Sequence, residues 1–181
     1  MIIPIKNIFI KMPNYTMIAL IITIVYFLFT EKILHKHKKI FNYLCLFCLF
    51  LYSLLLYEVM FGLSGGLTFN RPRHKPNFYP LIDIFNVYNM GFINMLKQVS
   101  LNIIIIIPLG FLLPAMFVKL RDLKKTMASI LIISILIETL QYFVGRSADI
   151  DDIIMYNLGG ITGYFLFNLF ERMYLKKKGT C

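Results

Sequence analysis

Glu138 and Gln141 stand three residues apart inside an otherwise apolar run, and i, i+3 spacing on a helix puts both on one face. An acidic side chain inside a membrane span costs about 2.5–3.5 kcal/mol to insert, so it is normally turned inward and paired. Glu138 is therefore either a fastener of the bundle, with Arg146 as a possible partner, or a working group. A short polar stretch follows, with Arg146, Asp149, Asp151 and Asp152. Acids at a helix start satisfy free backbone N–H groups and suit the positive end of the helix dipole. On that reading Asp149 caps a helix and Asp152 sits in its first turn. Capping needs one acid, however, and three stand here beside an arginine, which invites a ligand. A metal at this aspartate loop would be Mg²⁺ or Ca²⁺, because the donors are hard oxygens.

Other polar residues interrupt apolar sequence at Glu58, Asn102 and Asn157, and Arg71, Arg73, His74 and Lys75 form a basic cluster. That cluster suits contact with anionic head groups, or a grip on a phosphate or carboxylate of an envelope component. Glu138 or Asp152 could act as general base in a membrane enzyme, since burial tunes carboxylates towards neutral pH. No H-E-x-x-H, no G-x-S-x-G and no nucleophile with an obvious base is present, so the choice between binding and catalysis stays open. Cys45 and Cys48 are one helical turn apart in an apolar run and read as packing residues. His35 and His37 lie in a lysine-rich loop and read as solvated.

The elements that must position these groups follow from composition. With 59% hydrophobic residues and a mean hydropathy of +0.73, a water-soluble domain of 181 residues would leave too much apolar surface exposed. The formal charge of +10 does not signal nucleic acid, because the basic residues sit in short clusters between long apolar runs. The pattern predicts an all-α integral membrane protein, one domain over 1–181. About five transmembrane helices form the bundle: Pro13–Thr30, Ile40 to about Leu63, one between Lys97 and Lys119, one from after Lys125 to Val144, and Ile153–Phe170. Each approaches the roughly 20 residues a helix needs to cross hydrocarbon. Leu81–Ser100, with Asp83, Asn86, Asn94 and Lys97 at helix-like intervals and Gly91 as a weak point, reads as an amphipathic helix on the outer surface, a re-entrant segment or a short linker helix.

Lys and Arg are denser in the loops Lys32–Lys39, Lys119–Lys125 and Arg172–Lys178 than on the opposite side, which holds Lys6, Lys11, Arg71, Arg73, Lys75, Lys97 and Arg146. By the positive-inside rule the first group and the C-terminus are cytoplasmic and the N-terminus is outside. Glu138 then lies roughly 20 Å from the cytoplasmic end, at about 1.5 Å per residue from Lys125, so the polar residues gather towards the outer half of the bilayer. Gly159 and Gly163 form a GxxxG face that allows close helix approach. Pro108 and Pro114 should kink or unwind the third span.

The ordered set Asn102-Ile-Ile-Ile-Ile-Ile-Pro108-Leu-Gly110, Glu138-Thr-Leu-Gln141, Asp149-Ile-Asp-Asp152 and Leu158-Gly-Gly160-Ile-Thr-Gly163 resembles the VanZ-like family. Upstream, Asn77-Phe-Tyr-Pro80 is similar to that family's N-L-x-P-F element, so the resemblance covers about 77–167. It implies a small multi-pass protein of the bacterial cell membrane. The family's namesake accompanies glycopeptide-resistance genes and confers low-level teicoplanin resistance. Carried onto this chain, the resemblance singles out Asn77, Asn102, Glu138, Gln141, Asp149 and Asp152 as binding residues, joined by Arg73 and Arg146. Two positions depart from the pattern. Tyr156 stands where the family often has Asn, with Asn157 one place later, and His74 takes the place of an expected arginine, with Arg73 beside it.

Three functions fit these residues. An outward-facing pocket could bind or alter a lipid-linked or anionic cell-wall component, contributing to glycopeptide resistance or envelope homeostasis. A membrane hydrolase or transferase could act on a lipid-linked substrate. A small transporter or flippase would need a homo-oligomer to build a pathway.

Overall fold

In hydrocarbon a backbone N–H or C=O has no water to bond, so a chain of Ile, Leu, Phe and Val closes its hydrogen bonds within helices. The computed structural model describes residues 5–28, 40–61, 75–89 and 91–175, and its regular structure is helical. In order come α1 (Ile5–Leu28), α2 (Ile40–Met60), α3 (Ile82–Asn89), α4 (Phe92–Met116), a 3₁₀ turn (Val118–Leu120), α5 (Leu123–Phe143), α6 (Ile150–Phe170) and a π-helical turn (Glu171–Leu175). Among the described residues four segments are long and apolar enough to cross a membrane: Tyr43–Met60, Phe92–Met116, Leu123–Phe143 and Ile150–Met173. The first expected span also forms an apolar helix, although its apolar stretch, Pro13–Tyr26, is shorter. The protein is an all-α, multi-pass membrane protein.

The chain divides into two compact units, Met1–Gly66 and Leu67–Cys181. In the first, α1 and α2 pack as a pair with Ala19 fully buried. Glu58, 3% exposed, accepts a 2.6 Å hydrogen bond from the Tyr15 hydroxyl, so this intramembrane acid has a partner inside its own unit. Cys45 and Cys48 are free thiols, as their apolar setting predicts.

In the second unit one expectation is corrected and another is narrowed. The amphipathic helix over Leu81–Ser100 is not one element: it breaks near Gly91, whose φ of 125° is a backbone conformation that side chains disfavour. Its C-terminal part joins α4, which therefore starts before Lys97. The exposed lysine is near the helix end, where a long side chain can reach the interface. The prolines do not unwind α4 either, because the helix runs unbroken through Pro108 and Pro114. Each removes only one backbone donor, and the turns on either side hold.

Helices α4 and α6 share the most extensive contact in the unit. Alternating connections through α5 make them parallel, so Ile103 meets Gly159, Ile107 meets Gly163, and Phe111 packs edge-on to Phe167 and Phe170. A Cβ at Gly159 would overlap the Ile103 carbonyl oxygen, and one at Gly163 the Ile107 carbonyl oxygen. A Cβ at Gly160 would meet the Ile130 side chain, Cδ1 closest, rather than backbone. At the far end of α6, Arg121 pairs with Glu171 at 2.9 Å, and the Tyr164 hydroxyl donates to the Arg121 carbonyl at 2.9 Å.

These contacts generate a graded expectation. Gly159→Ala and Gly163→Ala should each destabilise the purified protein by about 2 kcal/mol or more, since rigid backbone cannot yield. Gly160→Ala should cost clearly less, because Ile130 can change rotamer. Thermal unfolding of the three variants in one mild detergent checks the order.

Candidate functional site

The site is built around the turn from α5 to α6. Helix α5 ends because Gly145 adopts a φ of 83°, and a Schellman pair closes it: the Gly145 N–H donates to the Tyr142 carbonyl at 3.2 Å and the Arg146 N–H to the Gln141 carbonyl at 2.9 Å. Helix α6 then starts at Asp149, whose carboxylate caps it by accepting from the Asp151 N–H at 3.0 Å. The capping role expected of Asp149 is thus realised.

The turn is also held from outside. Asn77 forms a single parallel β-bridge with Asp149: its N–H donates to the Ala148 carbonyl at 2.8 Å and its carbonyl accepts from the Ile150 N–H at 3.1 Å. Its side-chain amide donates to Asp149 Oδ1 at 3.3 Å. Asp151 reaches the same segment and caps α3, accepting from the Leu81 N–H at 2.5 Å and the Ile84 N–H at 3.4 Å. Leu81 has a φ of 69°, unusual for a side-chain-bearing residue, and the bond to Asp151 helps hold it there. Asp152 turns the other way and accepts from the Asn102 amide of α4.

Glu138 lies under this turn, 3% exposed. Its Oε2 accepts from the Asp149 N–H at 2.9 Å, and the Tyr156 hydroxyl donates a further hydrogen bond to the Glu138 carboxylate. Tyr156, 1% exposed, lies beside Glu138 with Asp152 and Arg146 in electrostatic reach. Arg146 also acts on Glu138 as the opposite charge, while Asp149 and Asp152 act as like charges. Gln141 is fully buried one turn after Glu138, on the same inward face.

Of the residues singled out by sequence, Asn77, Asn102, Glu138, Gln141, Arg146, Asp149 and Asp152 all belong to this end of the unit. Arg73, with Arg71 and His74, lies outside the described residues. Asn157 does not stand in for the family's asparagine, because its amide donates to the Ile153 carbonyl of its own helix at 2.8 Å. Tyr156 holds the inward place instead, and only its spacing one helical turn after Asp152 could have flagged it. The distant capping by Asp151 carries no sequence signal at all. The three aspartates face separate donors, and among the described residues no three His, Cys, Asp or Glu side chains gather as a metal-holding group.

Beside Glu138 a groove of about 420 Å³ opens, lined mainly by apolar side chains of α5 and α6 together with Asn77, Phe78 and Asp149. Volumes of about 300–1,000 Å³ are usual for small-molecule sites. It offers an apolar trough with a carboxylate at its wall.

The chain matches the VanZ/LLP1 family over residues 15–171. It belongs to that family. The VanZ/LLP1 match is wider than the motif-bearing stretch and includes most of α1 and all of α2. None of the curated proteins and none of the solved structures compared with the chain is similar to it.

Asp151→Ala should lower stability by about 1–3 kcal/mol, because two backbone N–H groups lose their acceptor. Hydrogen exchange of the Leu81 and Ile84 amides should quicken in that variant while exchange in α5 is unchanged.

Proposed function

We propose that this VanZ/LLP1 protein contributes to teicoplanin resistance or envelope homeostasis by binding, or altering access to, a lipid-linked component of the cell envelope. The family is linked to glycopeptide resistance. The observation that carries the finer reading is an apolar groove with the buried carboxylate of Glu138 and that of Asp149 in its lining, an arrangement suited to an amphiphile. On this reading the polar end faces outward, the N-terminus is outside and the C-terminus is cytoplasmic. The support for that direction is the excess of Lys and Arg in the loops assigned to the inner side. Asn77, Asn102, Gln141, Arg146, Asp149 and Asp152 shape the pocket and hold Glu138 in place.

Binding explains the residues better than turnover does. Asp149 and Asp151 are engaged with backbone donors, and Asp152 with Asn102, so these contacts serve to hold the turn rather than to present a nucleophile or base.

Expression of the chain in a susceptible Gram-positive host should reduce teicoplanin susceptibility more than vancomycin susceptibility. Glu138→Ala should abolish that difference at unchanged protein abundance. Unaltered teicoplanin susceptibility at confirmed expression would refute the proposal.

A further inference from the structure

Helix α3 leaves an apolar flank uncovered within its unit. Ile84 and Val87 turn inward against α4 and α6. Beside them Leu81, Phe85, Tyr88 and Phe92 follow one another at intervals of four, three and four residues, which makes one stripe. All four are exposed, Phe85 to 62%, and Phe78 in the turn before the helix is 72% exposed. Asn86, also exposed, lies two residues from Tyr88 and so points away from that stripe. Contiguous apolar surface of this kind marks contact with a partner or a membrane. The helix has eight residues and is about 12 Å long, too short to cross hydrocarbon and too short to persist alone in water. What holds it also fixes its level. Its start is fastened to the first turn of α6, because Asp151 accepts from the Leu81 and Ile84 N–H groups. Its end passes through Gly91 directly into α4: the Gly91 N–H donates to the Tyr88 carbonyl at 2.9 Å, and the Tyr88 ring stands edge-on to Phe92. Both fastenings are thus at the beginnings of two parallel membrane-crossing helices, on one side of the bilayer.

We propose that α3 is an interfacial anchor: it lies in the plane of the membrane at the boundary of head groups and acyl chains, with Phe85, Tyr88 and Phe92 turned into lipid and Asn86 turned to water. The stripe carries no charge, so it enters the acyl boundary without desolvating an ion. Tyr88 suits this level, since its ring is apolar and its hydroxyl can stay wet. Asn77 and Asp151 tie the same segment to the start of α6, so the anchor sets the depth at which the α5–α6 turn sits. None of this depends on what the groove binds.

The chain has no tryptophan, so a single introduced one reports its own position. Phe85→Trp, Tyr88→Trp and Asn86→Trp, all at exposed sites, are made in the full-length chain and placed in phosphatidylcholine nanodiscs. The lipids carry bromine at a shallow or a deep acyl position, and iodide serves as the aqueous quencher. Phe85→Trp and Tyr88→Trp should lose more emission to shallow than to deep bromine, reporting a depth of about 5–10 Å into the head-group and acyl boundary. Their emission should also lie at shorter wavelength than that of Asn86→Trp, which iodide should quench most. Phe85→Trp and Tyr88→Trp report the same flank, so either one decides if the other does not accumulate. Iodide quenching that fails to distinguish Asn86→Trp from the flank variants overturns the proposal. So does stronger quenching by deep bromine, which marks a re-entrant segment, or protection of the flank from both quenchers, which marks a covering protein surface.

Discussion

A buried turn between two membrane helices exposes backbone donors where little water can satisfy them, and the second unit is arranged around meeting that need. The N–H groups at the start of α6 find the Asp149 carboxylate, that of Asp149 finds Glu138, and those at the start of α3 find Asp151. Acidic side chains are the natural partners, since a carboxylate accepts several bonds and matches the positive helix end. Loss of any one leaves a donor stranded in an apolar setting, so the turn, α3 and the end of α5 depend on one another.

The close contact of α4 with α6 sets the second condition. Glycines at 110, 159 and 163 bring backbone against backbone, which fixes the axial register of the two helices. That register puts Asn102 against Asp152 near the turn and, at the other end, lets Phe111 pack between Phe167 and Phe170. A slide of one residue would separate the amide from the carboxylate and drive a carbonyl into a side chain. Small residues thus act at a distance on a site they do not touch.

The hold on the turn runs through Glu138. Its carboxylate accepts from the Asp149 N–H and is bonded by Tyr156, so this side chain fastens the turn to α5 and α6. Sequence reasoning sets a fastener and a working group against each other as alternatives. The geometry shows the fastening role. The family membership adds the setting, a membrane protein of a group tied to glycopeptide resistance.

The sequence by itself determined the helical class, the membrane-crossing runs, the inward acid of α5, the cap at Asp149 and the GxxxG face of α6. All of these follow from composition or from periodicity within one helix, which local residues fully specify. It also carried the ordered motifs of the family. Only the tertiary structure decided that Gly91 divides the expected amphipathic helix, that α4 stays helical through both prolines, and that Glu58 is paired with Tyr15. The same holds for the bridge from Asn77 to Asp149, the capping of α3 by Asp151, the inward place of Tyr156 and the apolar groove. The decisive bonds join residues 72, 70 and 50 positions apart, and a helical period says nothing about which face of which neighbour lies opposite. That choice belongs to packing, where glycine contacts set the register and buried backbone donors select their acids.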